Sequence, residues 1–169
     1  IELFDSEEDL GKYLPLGLNQ DYDISYQFSP KDLVVVGAQR GHGKSFTCCN
    51  VAVEAQKAGR SVLYFTIEMD SRAILQRACA LGARIPIGRL ATKNLTNVEW
   101  NRVAEWWAGR FEGGETLVPE FNQTRDFDEF HKKLQTRPLH KDKQIDVVYD
   151  PVLSLSRIRQ ELESKVSQT

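Results

Sequence analysis

The run Leu33-Val34-Val35-Val36-Gly37-Ala38-Gln39-Arg40-Gly41-His42-Gly43-Lys44-Ser45 decides how this chain reads. Its first four residues are apolar and mostly β-branched, the profile of a strand buried on both faces. From Phe46 to Ala58 the pattern is helical. A strand, a glycine-rich turn and Gly-Lys-Ser opening a helix make a phosphate-binding loop. Backbone N–H groups at a helix N-terminus have no intrahelical partners and sit at the positive end of the helix dipole, so they suit a polyphosphate. Gly41 and Gly43 let backbone approach phosphate without a side chain in the way. The Lys44 ammonium reaches β- and γ-phosphates, and the Ser45 hydroxyl suits Mg²⁺. Residues expected against ATP are Ala38, Gln39, Arg40, Gly41, His42, Gly43, Lys44, Ser45 and Phe46. The common spacing puts a first glycine at position 38; here Ala38 stands there and Gly37 comes one residue early. The plain alternative is a glycine-rich turn with a surface lysine. The flanking strand and helix argue against it.

A chain of 169 residues, 41% hydrophobic and 27% charged, can bury a core and has the composition of a soluble globular protein. Its formal net charge of −2 rules out a global basic field, though not a local basic surface. No apolar run reaches membrane-span length and no secretory signal is visible. Cys48, Cys49 and Cys79 lack zinc-like spacing and read as buried free thiols, which fits a reducing cytoplasm in a bacterium or in the host of a phage. His131 and His140 have no ligand partners at metal spacing. Trp100, Trp106 and Trp107 could stack on bases but read better as core or interface anchors. The basic stretch Lys132, Lys133, Arg137, Lys141 and Lys143 is diluted by acids and reads as a solvated loop.

Residues 1–32 form an acidic lead-in, with a capped helix start at Asp5 to Leu10, and residues 33–169 form the main domain. After the loop helix, Ser61 to Ile67 is a second strand, followed by Glu68. Ser71 caps a helix over 72–82, and 97–110 is helical. Glu115 to Phe121 reads as a third strand near Pro119, 126–134 as a helix, Ile145 to Tyr149 as a strand, and 157–166 as a closing helix. Strands alternating with helices predict an α/β fold with a mostly parallel sheet flanked by helices. Ligands bind such sheets at the C-terminal strand ends. Three features fall there: the loop, Glu68 and Asp150. Glu68 is the candidate catalytic base that orients water, beside Lys44 as charge stabiliser. Asp150 is the candidate second Mg²⁺ ligand; its plain alternative is a turn cap before Pro151.

Val34 to Ser45 resembles the P-loop of DnaB-type replicative helicases, where alanine preceded by glycine is tolerated at this first position. Ser61 to Met69, ending Glu68-Met69, is similar to that family's second strand. Residues 72–90 and 96–100 are similar to the helices that follow, and 145–155 match more weakly. The resemblance implies a RecA-like P-loop ATPase, with Lys44 and Ser45 on phosphate and Mg²⁺, Glu68 catalytic and Asp150 as the Walker B carboxylate. It further implies a homo-oligomer, such as a hexamer, working on single-stranded DNA. The family's arginine finger, DNA-binding loops and a further core strand have no counterpart in 33–169, so the domain reads as incomplete. A DNA repair or ATP-regulated nuclease role, and a non-catalytic ATP-binding assembly module, stay open as alternatives.

Overall fold

The computed structural model describes residues 14–17, 27–29, 32–142 and 144–166. The expected helix start at Asp5 lies outside them. Of the lead-in, β1 (Leu14–Pro15) and β2 (Gln27–Phe28) form a short antiparallel pair. It packs beside the loop helix α1 (Lys44–Lys57), where Asn50 Nδ2 donates to the Leu16 and Gly17 carbonyls at 3.0 and 2.6 Å.

α1 stops where glycine allows it. Gly59 takes φ +73°. Its N–H donates to Gln56 C=O at 3.0 Å, and the Arg60 N–H reaches Ala55 C=O at 2.9 Å. This pair of bonds closes the helix end and reverses the chain. The reversal delivers β3 (Val62–Thr66), which runs parallel to β4 (Ile145–Tyr149) with Val62 opposite Ile145 and Thr66 opposite Tyr149.

Parallel neighbours need a crossover. Here it is built of helices, with one antiparallel bridge between Phe111 and Leu139: α2 (Ser71–Gly82), α3 (Ile87–Ala91), α4 (Asn97–Ala108), a 3-10 turn (Gly114–Leu117), α5 (Val118–Thr124) and α6 (Phe127–Gln135). α7 (Leu155–Val166) follows β4. Caps set several boundaries. Asp70, not Ser71, caps α2 by accepting from the Ala73 N–H at 2.7 Å. Thr96 and Glu99 form a reciprocal capping box on α4. Asp126 accepts from the Glu129 N–H at α6.

Two expected strands fail. Glu115 to Phe121 is a 3-10 turn leading into α5, with Pro119 in its first turn. Proline has no N–H to give a ladder but fits a helix start, where that N–H would lack a partner anyway. Leu33 to Val36 pairs with no strand among the described residues, and its side chains are exposed, Leu33 by 92% and Val35 by 84%. An apolar β-branched run becomes a strand only when a neighbour takes its N–H and C=O groups, and here none does.

Three apolar clusters hold the rest. Cys49, Ala52 and Val53 of α1 pack with Ile74 and Ala78 of α2 and Ile145 of β4. This cluster seats the loop helix on the sheet. Ala104 and Ala108 of α4 pack with Phe121, Phe130 and Leu134 beneath half-buried Trp100 and Trp107. A third, smaller cluster joins Cys79, Ala83, Ile85 and Val103. All three tryptophans pack against these clusters, as anchors should. The basic stretch is partly structural: Lys133 pairs with Glu120 and Glu129, and Arg137 donates to Gly113 C=O at 2.8 Å. Lys143 lies outside the described residues.

Candidate functional site

α1 ends immediately before β3 begins, so its N-terminus lies toward the C-terminal end of β3. Glu68 follows Thr66 by two residues and Asp150 follows Tyr149 by one. The Asp150 N–H donates to Thr66 C=O at 3.1 Å, tying the two strand ends together. Glu68 and Asp150 thus share one end of the sheet, the end toward which the connectivity directs the start of α1.

The loop is shaped for an anion. Gly41 and Gly43 take φ +81° and +84°, a left-handed backbone that other residues adopt only under strain. A Cβ on either glycine would meet nothing within 4 Å, so the space before α1 is open. Gly43 caps α1 without a side-chain bond, and the first turn carries no acid. The first helical bond runs from Thr47 N–H to Gly43 C=O at 2.9 Å. The N–H groups of Lys44, Ser45 and Phe46 are left without intrahelical partners. Positive dipole, free donors and absence of a competing carboxylate fit a polyphosphate.

Lys44 Nζ donates to the Ala38 and Gln39 carbonyls at 2.8 and 3.2 Å, folding the loop over itself. The His42 N–H adds a 3.2 Å bond to Gln39 C=O, and His42 Nδ1 lies 3.2 Å from Arg40 C=O. Ser45 and Phe46 are exposed at the helix start. Glu68 is exposed and makes no hydrogen bond or ion pair among the described residues, so its carboxylate is available to water. Asp150 differs. Its Oδ1 accepts from the Val152 N–H at 2.9 Å, so its carboxylate serves its own turn. Asp146, two registers earlier on the face of Val148, is half-exposed and pairs with Lys165 at 2.8 Å.

Of the three thiols, Cys49 and Cys79 are buried as expected, whereas Cys48 is exposed. Successive helical residues face directions about 100° apart, so two adjacent cysteines do not share one buried face. Burial pushes the Cys49 thiol up to about 11, against a smaller opposing pull from Arg77, and pushes Cys79 up to about 12. Both stay protonated and are packing groups, not nucleophiles. A pH effect follows. Between the ordinary thiol value of 9.0 and about 11, the unfolded chain releases protons that the folded chain keeps. The unfolded state then binds fewer protons, so stability falls as pH rises through that window. Urea midpoints across it check this, and Cys79→Ala shrinks the fall.

A larger cleft, about 880 Å³, lies among α2, α4 and the α5–α6 turn, with Trp100, Trp107 and Phe127 on its walls. It contains no loop residue. No group of three His, Cys, Asp or Glu side chains placed to hold a metal occurs among the described residues. No described helix is long and apolar enough to cross a membrane.

Residues 17–168 match the family described as DnaB-like helicase C terminal domain. Among curated proteins, the replicative DNA helicase DnaC of Bacillus subtilis (strain 168) is 29% identical over 91 residues, 53% of this chain and 20% of that protein. The chain thus aligns with about a fifth of that relative's length. The match takes in the loop, both strand ends and the whole helical crossover, and on it the chain belongs to the DnaB-like helicase C-terminal domain family.

Proposed function

We propose that this chain is the nucleotide-binding part of a RecA-like P-loop ATPase that couples ATP hydrolysis to work on single-stranded DNA as a homo-oligomer. The observation that carries the reading is the open glycine cradle before α1, with the left-handed Gly41 and Gly43 leaving the helix start clear. In this reading Leu33 to Val36 is a strand of a larger, mostly parallel sheet.

Each residue then has a defined task. The free N–H groups of Lys44, Ser45 and Phe46, with the loop amides from Ala38 to Gly43, hold the phosphates. Lys44 gives up its two carbonyl bonds and turns its ammonium to the phosphate oxygens. Ser45 offers its hydroxyl to Mg²⁺, which supplies charge neutralisation on the phosphates. Glu68 accepts a hydrogen bond from the attacking water and orients it. Asp150 is the weaker ligand candidate, since binding a cation would exchange its bond to Val152. Family membership supports ATP, Mg²⁺, DNA and assembly as the context for these tasks.

The test is phosphate release with and without single-stranded DNA, on the wild type and Glu68→Gln. Expected are DNA-stimulated turnover and a loss of about 10²-fold or more in the variant. Unstimulated turnover that is indifferent to Glu68→Gln would end this reading.

A further inference from the structure

We propose that the cleft among α2, α4 and the α5–α6 turn is a binding site for a small aromatic anion, a flat ring system carrying a carboxylate, sulfonate or phosphate. The site is separate from the phosphate loop and does not rest on the nucleotide reading above.

The cleft holds about 880 Å³. That is the size of pockets that enclose small molecules. Its aromatic wall is continuous. Phe127 stands between Trp100 and Trp107, its ring centroid 6.4 Å from each of theirs. All three rings line the cleft and are only half-buried, so each still has surface to cover. Rings at such separations pack edge to face or offset, and a further flat ring extends the array in the same geometry. An aliphatic body would cover the same area without that ring-to-ring gain.

The charge of the lining selects an anion. Arg72, Lys93 and Arg125 line the cleft with Asp126 and Asp128. Asp126 is committed to the backbone, accepting from the Glu129 N–H as the cap of α6. The side chains of Arg72 and Lys93 are exposed and make no hydrogen bond or ion pair among the described residues. Arg125 is held in place: its Nη1 donates to Asn122 Oδ1 at 3.0 Å, and its guanidinium lies 5.6 Å from the Phe121 ring centroid. Neither contact neutralises it.

The backbone adds an independent observation. Lys93 and Arg125 take φ +57° and +55°. Among the described residues only one other non-glycine, Arg84, has that left-handed conformation, so two of the three line one cleft. Each follows a helix, Lys93 after α3 and Arg125 after α5, where glycine fits with least strain. The chain keeps a cation at both places, in a conformation unfavourable for any residue with a Cβ. Two strained cations beside an aromatic wall match a ligand with one flat apolar part and one negative part.

The probe is 8-anilinonaphthalene-1-sulfonate, and its control is N-phenyl-1-naphthylamine, the same rings without the sulfonate. Both are titrated onto the full chain by fluorescence, with amide hydrogen exchange read over 124–128. The sulfonate should bind saturably, about tenfold or more tighter than the neutral probe, and should slow exchange at 124–128. The double variant Lys93→Gly with Arg125→Gly strips both cations while leaving each backbone turn to the residue that favours it. It should weaken the sulfonate about tenfold or more and the neutral probe less than about twofold. Arg72→Gln alters only an exposed side chain in the first turn of α2 and should weaken the sulfonate about threefold, so the charge test does not depend on the folding of the double variant. Lys93→Arg should keep binding. Equal affinity for the two probes, or sulfonate binding that all these variants leave unmoved, overturns the site. Displacement of the sulfonate by a saturating fluorescent ATP analogue, with loss of binding in Lys44→Ala, puts the probe on the phosphate loop and overturns the cleft while the nucleotide reading stands. Protection of 124–128 in the chain alone that grows with protein concentration, together with a doubled mass, puts a second copy in the cleft and overturns the small ligand.

Discussion

Lys44→Ala is expected to cut ATP turnover by about 10²–10³-fold, the scale of removing one donor that stabilises developing charge. The expectation has two parts. The ammonium is the only cation the loop carries at the start of α1 other than Arg40, and it is already within the loop, bonded to Ala38 and Gln39. Its removal takes a charge from the phosphates, while the two carbonyl bonds it deletes are ones the lysine surrenders on binding in any case. Turnover should therefore fall together with affinity for the ATP analogue. Lys44→Arg separates the two effects: it keeps the charge but exchanges a compact ammonium for a larger planar fork. Steady-state phosphate release, with analogue binding measured on the same preparations, is the check. Turnover retained in Lys44→Ala would remove the lysine from the site.

Phe121→Ala is expected to destabilise the chain by about 3–5 kcal/mol, the cost of deleting a large buried aromatic side chain. Phe121 is 1% exposed. Its ring centroid lies 4.9 Å from that of Phe130 and 6.0 Å from those of Trp100 and Phe127. Removing it opens a void that four helical segments would have to collapse to fill. Such a loss is a large share of the roughly 5–15 kcal/mol that holds a typical domain together. Phe121 belongs to the cluster of α4, α5 and α6, whereas α1 packs in the cluster with α2 and Ile145. Affinity for the ATP analogue, measured well below the melting temperature, should therefore change little while the urea midpoint drops. Equal losses of both would show that the two clusters act as one.

The shape of the glycine loop was easier to read from the chain than the sheet was. Phosphate loops are local: residues 37–45 carry their own glycines, lysine and helix start, and the helix begins at Lys44, two residues before the expected Phe46. Glu68 and Asp150 were located because acids directly after apolar strands stand out, and the parallel register of β3 and β4 put both at one end. Strand identity is not local. Leu33 to Val36 has the composition of a buried strand but no hydrogen-bonded neighbour, a fact no periodicity contains. Glu115 to Phe121 failed for another reason: a short apolar run with proline suits a helix start as well as an edge strand, and neighbouring Phe130 and Leu134 decided it. Cys48 and Cys49 were both read as buried small residues of the loop helix, although adjacent helical positions diverge and Cys48 is exposed. Asp70 outcompeted Ser71 as the cap because its carboxylate reaches the Ala73 N–H from outside the helix.

The parallel pair joins Val62 to Ile145, across roughly eighty residues, while the helices between them pack largely on their near neighbours. Closing a loop of that length costs about 4 kcal/mol of chain entropy before any ladder bond repays it. Helical contacts close over short separations and form early. The expected order of assembly is the crossover helices first, their condensation shortening the effective distance β4 must travel to reach β3. Glu68 and Asp150, on strand ends brought together only by that last event, become neighbours late in folding. The chemistry proposed for this end of the sheet is thus expected only of molecules that have completed their longest-range step.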